Sequence, residues 1–184
     1  MVVMIRGVMG MASNAKQQGG AAQRLIPNGL LAILTALLAL AALLAIARGR
    51  PQWGLVPPLV WLHLVSILTA TVLTPLLLMR RKGDGRHRQL GSVWASAMLV
   101  TAATSLAFAT GAPRGWGVFT GDFSLIHILS VIVLIQVPRT VLAARRHDRN
   151  AHERGIRGVV IGALLIAGFF TFPFERMLGS WLFG

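Results

Sequence analysis

Five histidines hold most of the chemistry this sequence can offer: His63, His87, His127, His147 and His152. There is no cysteine. Disulfides, iron–sulfur clusters, thiolate metal sites and covalent C-x-x-C-H haem attachment are therefore excluded. A phosphate-binding loop, an H-E-x-x-H motif and a pair of catalytic carboxylates are absent as well. His63 and His127 fall inside long apolar runs, and His87 and His152 just ahead of two others. An ionisable side chain inside a membrane is costly and turns toward the bundle interior, which makes it a candidate for function. His63 and His127 sit at depths that differ by ~3 Å, half a helical turn. His87 and His152 both sit at the opposite border. The pattern is two level pairs, each on alternate helices. Two neutral imidazoles on opposite sides of a planar iron centre are what a b-type haem requires.

Small residues follow three of the four ligand candidates. Gly91 and Ala95 follow His87, Gly155, Gly158 and Gly162 follow His152, and Ser66 and Ala70 follow His63. They would leave room for a macrocycle, or equally let helices pack closely, since Gly158 and Gly162 form a packing motif. The plainer readings stand beside the ligand ones. His87 lies in Arg86-His87-Arg88 and His152 in Ala151-His152-Glu153-Arg154, basic segments where a histidine is often just solvated. His147, between Arg146 and Asp148, reads as solvated. For the outer pair, Ser66 and Ser130 are the hydrogen-bond partners at hand.

The elements that must position these residues are set by composition. Of 184 residues, 55% are hydrophobic and 12% charged, and the mean hydropathy is +0.69. A soluble domain carries about 25% charged residues. Five segments are long and apolar enough to cross ~30 Å of hydrocarbon: 29–47, 56–79, 91–110, 122–143 and 158–182. Backbone groups in lipid must bond internally, so each is expected to be helical. The expectation is an all-α polytopic membrane protein of five transmembrane helices. Residues 29–184 form one membrane domain, spans two to five its four-helix core, and residues 1–28 a flexible cytoplasmic tail. That tail does not read as a signal peptide, because polar residues follow its short apolar start.

Lys and Arg set the orientation. Three lie before the first span, five between Arg80 and Arg88 and six between Arg139 and Arg157, leaving only Arg48, Arg50, Arg114 and Arg176 for the other side. The N-terminus is then inside and the C-terminus outside, in a cytoplasmic membrane. The net charge of +13 is chiefly a topology signal. It implies no nucleic-acid partner, because no folded basic domain exists outside the spans. Trp53, Trp61, Trp116 and Trp181 are expected at the outer interface and Trp94 at the inner one. The first span, with Thr35 as its only hydroxyl, reads as a peripheral anchor. Gln136 is polar at depth, a candidate for bonding across the core. Pro138 and Pro173 mark kinks, and Asp84 and Asp148 balance local charge. Glu175 and Arg176 lie near the outer end, where Arg176 suits a propionate or a lipid headgroup and Glu175 suits Arg114. The loop Gly111–Gly121 could cover an outer site, with Asp122 as helix cap.

Two stretches carry a resemblance. One is Trp61-Leu62-His63, Arg80-Arg81-Lys82-Gly83, Arg86-His87-Arg88 and Leu90-Gly91. The other is Ile126-His127-Ile128-Leu129-Ser130, Ala143-Ala144-Arg145-Arg146, Ala151-His152 and Arg157-Gly158. In this order they resemble the bacterial membrane proteins grouped as the domain of unknown function 2306 family, over about residues 57–178. The family implies a membrane protein and no particular activity. The histidine pattern also resembles cytochrome b561 and its di-haem relatives. That similarity implies His63 and His127 on an outer haem b and His87 and His152 on an inner one. Both inner helices would have to extend a turn beyond their apolar runs. Electron transfer across the membrane, with a quinol or a redox protein as partner, is the leading expectation. A non-redox accessory or scaffold protein, joining a larger complex through Gly158 and Gly162, is the alternative. A carrier titrating His63 and His127 is the third.

Overall fold

The computed structural model describes residues 26–107, 125–173 and 176–184. Expectations about the N-terminal tail, the Gly111–Gly121 loop, Arg114, Trp116, Asp122 and Glu175 lie outside the described residues. Among those described every regular element is helical. These elements are α1 (Asn28–Arg48), a 3₁₀ segment (Arg50–Leu55), α2 (Pro58–Met79), α3 (Gly85–Ala107), α4 (Leu125–Arg145), α5 (Arg149–Val159), a π-helical segment (Val160–Ile166), α6 (Ala167–Phe169) and α7 (Met177–Phe183). Four are long and apolar enough to cross a membrane: Asn28–Arg48, Pro58–Met79, Gly85–Ala107 and His127–Arg145.

The expected fifth span, 158–182, is not one helix. Helical backbone begins earlier, at Arg149, where the Asp148 side chain caps the helix by accepting from the Ala151 N–H at 3.0 Å. It continues through the π segment and ends at Phe169, ahead of Pro173. Its first turns carry Arg149, Glu153, Arg154 and Arg157, so the rod is not an uninterrupted apolar span. The C-terminal residues fold back as the separate α7.

Hydrogen bonds between helices fix direction and register. His63 pairs with Thr104, Ser66 with Thr101 at 2.8 Å, and the Trp94 indole N–H donates to Thr74 at 2.9 Å. Rising numbers on α2 meet falling numbers on α3, so the two are antiparallel. Asn28 meets Arg157 and Leu38 meets Gly168, which makes α1 parallel to the α5–α6 rod. Such bonds contribute about 0.6 kcal/mol each in an apolar bundle. The core lies between α3, α4 and the π segment, around Met98, Val133, Val137, Val160 and Leu164.

Several expectations are corrected here. Trp94 faces protein, 3% exposed in the core. Trp181 is buried against Gly49, with its indole N–H on Gln52. Among the described tryptophans Trp53 fits a belt, stacked edge-on to Trp61 with centroids 5.3 Å apart. Helix α1 is more than a peripheral anchor. Leu31, Thr35 and Ala45 are fully buried, and the Arg157 guanidinium bonds to Asn28 and to the Ile26 carbonyl. Gln136 is exposed, not aimed across the core.

A Cβ on Gly49 would fall within the Trp181 ring, whereas one on Gly29 meets open space. Gly49→Val is therefore expected to cost about 1–3 kcal/mol by overpacking and to expose Trp181. Gly29→Val should leave Trp181 in place. Thermal unfolding and tryptophan emission of the two variants check this.

Candidate functional site

The two basic connections close one end of the bundle with matching devices. Between α2 and α3, Gly83 takes a φ of 87°, a conformation open to glycine, and Asp84 caps α3. Its carboxylate accepts the His87 backbone N–H and pairs with Arg80 at 3.2 Å. Between α4 and α5, His147 takes a φ of 59° at the αL position of a Schellman closure, with the Asp148 N–H on the Ala143 carbonyl and its own on Ala144. Glycine normally holds that position, so a histidine there gives little sign of the turn. Asp148 then caps α5. The charge-balancing role expected of Asp84 and Asp148 is secondary to capping. Both inner helices consequently start early enough to carry His87 and His152 in their first turns, one turn or more ahead of the apolar runs.

These two histidines line one cavity of about 810 Å³. It lies between the inner ends of α2, α3, α4 and α5, with Gly91, Trp94 and Ala95 on one wall and Val137, Thr140 and Val160 on the other. Arg88, Arg145, Arg149 and Arg157 add positive charge to its lining. Lys82 and Glu153, 2.6 Å apart, tie the α2–α3 turn to α5 across its edge. The pair is part-exposed and adds little stability.

The imidazoles are held differently. His152 Nδ1 lies 2.9 Å from the Thr140 carbonyl. A carbonyl only accepts, so Nδ1 carries the proton and Nε2 the lone pair. The same kind of bond, from the nitrogen that faces away from the metal, fixes ring orientation in metal-bound histidines. His87 Nδ1 is buried and has no hydrogen-bond partner among the described residues. It is close enough for charge on His152 to act on it. A cavity of this size falls in the usual range for organic ligands. The unmade bond on His87, the oriented His152 and the open space beside Gly91 fit a planar group held between two imidazoles.

Of the small residues expected to make room, Gly91 and Ala95 do so. Gly155 acts in the opposite sense. A Cβ there would strike the Thr140 hydroxyl, so glycine lets α5 approach α4 closely enough for His152 to reach the Thr140 carbonyl. Gly158 and Gly162 pack against almost nothing among the described residues. Ser66 and Ala70 are buried where α2 meets α3 and open no slot beside His63. His147 lies exposed at the mouth of the inner cavity.

The outer pair behaves otherwise. His63 Nδ1 lies 3.0 Å from the Thr104 hydroxyl, whose own proton is directed to the Val100 and Thr101 carbonyls. His63 lines a second cavity of about 580 Å³, together with Ser130 and Arg176. His127 is 8% exposed but lines neither cavity. Thr104 is thus a side-chain partner of His63, and Ser66 bonds to Thr101. No group of three or more His, Cys, Asp or Glu suited to a metal ion occurs among the described residues. Comparison with protein-family models, curated proteins and solved structures finds no match.

Two outcomes follow from this geometry. The His87 N–H and the Arg80 guanidinium hold the Asp84 carboxyl below the usual range. A depressed carboxylate stabilises the fold above its unfolded pKa, and that contribution is lost as pH falls through the lowered value. The His87 amide should therefore stay protected from hydrogen exchange at mildly acid pH and lose protection only in stronger acid. Asp84→Asn should remove that transition. Gly155→Val should separate α5 from α4 at the cost of about 1–3 kcal/mol, with loss of the His152 Nδ1–H resonance shift that the Thr140 carbonyl imposes.

Proposed function

We propose that this chain is a multi-pass membrane protein that holds a b-type haem at its basic end, between His87 and His152. The carrying observation is the shared cavity, lined by one imidazole with its Nδ1 buried and without a partner among the described residues and by a second whose tautomer is set by the Thr140 carbonyl. The haem would supply one-electron redox chemistry when bound. The chain's own part is to orient and to enclose. Asp84 and Asp148 fix the starts of the two ligand helices, Gly155 lets α5 close on α4, and Trp94, Val137 and Val160 exclude water. Arg88, Arg145 and Arg149 offer guanidinium groups for the propionates.

The positive-inside rule supports a cytoplasmic position for this end. The α5–α6 rod, parallel to α1, then serves as a fifth crossing whose charged first turns lie in the interface, in a bacterial inner membrane with the N-terminus inside. An electron donor or acceptor would meet the site at its arginine-rich mouth. The resemblance to the 2306 family and to di-haem cytochromes is compatible with this reading and adds no activity to it. The outer pair lends less support to a second haem, because only His63 reaches the outer cavity.

Purified protein supplemented with haem should give a b-type band in a reduced-minus-oxidised spectrum. His87→Ala and His152→Ala should each abolish it, while His63→Ala keeps it. Gly155→Val, through the misplaced His152, should weaken haem binding about tenfold, as happens when the hydrogen bond that orients a ligating histidine is lost. An absent band in the wild-type protein, or a band that survives both inner replacements, refutes the proposal.

A further inference from the structure

The outer cavity has a polarity of its own. Its residues can be ordered by depth along the helices. His63 stands near the outer start of α2, Ser105 near the outer end of α3, and Arg176 at the start of α7. Met98, seven residues before Ser105, lies ~10 Å deeper. Val133 and Leu164 wall the same apolar depth. His63, Ser105 and Arg176 thus stand at the outer end beside apolar Val60 and Leu178, and the deeper lining is aliphatic apart from Thr71, which bonds to the Ile67 carbonyl.

The polar groups are donors. Thr101 and Thr104 spend their hydroxyl protons on carbonyls of their own helix, at 2.9 and 2.8 Å. Ser105, 8% exposed on the same helix, lines the cavity and brings a hydroxyl to it. The Arg176 guanidinium adds charge and further donors at the mouth. A volume of about 580 Å³ suits one acyl chain, since ligand sites run to about 300–1,000 Å³, and it is small for a two-chain lipid.

We propose that the outer cavity binds a single-chain lipid with an acidic head, a long-chain fatty acid. Its carboxylate accepts from Ser105 and pairs with Arg176, and its chain lies among Met98, Val133 and Leu164. The site is separate from the inner histidine pair and does not depend on haem.

The test uses the full-length protein in neutral phospholipid vesicles, with palmitic acid bearing a mid-chain diazirine as the probe. After illumination, label should fall on α3 around Met98 and on the π segment around Leu164. Excess palmitate should displace it and methyl palmitate should not. Ser105→Ala and Arg176→Gln should each reduce labelling about tenfold, the loss of one hydrogen bond to a charged group. Ser105→Thr and Arg176→Lys keep the donors and should label nearly as the parent does. Label confined to lipid-facing positions such as Leu37 and Leu62, equal displacement by the ester, or labelling indifferent to all four variants would each overturn the proposal.

Discussion

Hydrogen-bond satisfaction in an apolar setting governs this molecule. Lipid and an aliphatic core offer no partners, so every buried polar group must find one within the protein. Most hydroxyls find it in the preceding turn of their own helix. Thr35 bonds to Leu31, Thr71 to Ile67, Thr74 to Ala70 and Thr140 to Gln136. A few of these oxygens accept a second bond from a neighbouring helix. Thr74 takes the Trp94 indole and Thr104 takes His63, and those contacts set the register of α2 against α3. The polar atoms left over are then few. They are informative because the rest of the structure is so thoroughly paired.

That constraint separates the two ends of the bundle. At the basic end, aspartate caps draw α3 and α5 outward until their first turns carry histidines, and the buried atom left without a partner among the described residues is an imidazole nitrogen. At the other end the cavity lining offers a serine hydroxyl, a proton donor, with a guanidinium beyond it. The first suits a metal centre and the second an anion. One helical bundle thereby presents two cavities of opposite chemical demand, divided by the packed layer around Met98, Val137 and Val160.

The spans were legible because hydropathy reports the solvent directly. Four of the five expected segments match helices to within a few residues at the described ends, apart from the start of α3. What hydropathy misses is where helices start in polar sequence. Gly85 and Arg149 begin helices six and nine residues ahead of the apolar runs expected at 91 and 158, and only the caps at Asp84 and Asp148 explain it. The same error divided the last segment wrongly. Its apolar residues continue past Phe169, but the helix does not, and the sign in the sequence was Pro173 rather than hydropathy.

The histidines show the same boundary of legibility. Spacing identified His87 and His152 as a level pair, and the structure gives them a common cavity. Spacing also paired His63 with His127; His63 lines the second cavity, and His127 is buried without lining either of the two. The rotation of a helix is set by which of its small residues touch a neighbour. Ser66 and Ala70 turn α2 toward α3 and carry His63 to Thr104. Gly155 lets α5 close on α4 and carries His152 to the Thr140 carbonyl. A glycine beside a histidine therefore has two opposite meanings, space for a ligand or contact with a helix. Only the neighbour's side chain decides between them: open volume faces Gly91, and Thr140 faces Gly155.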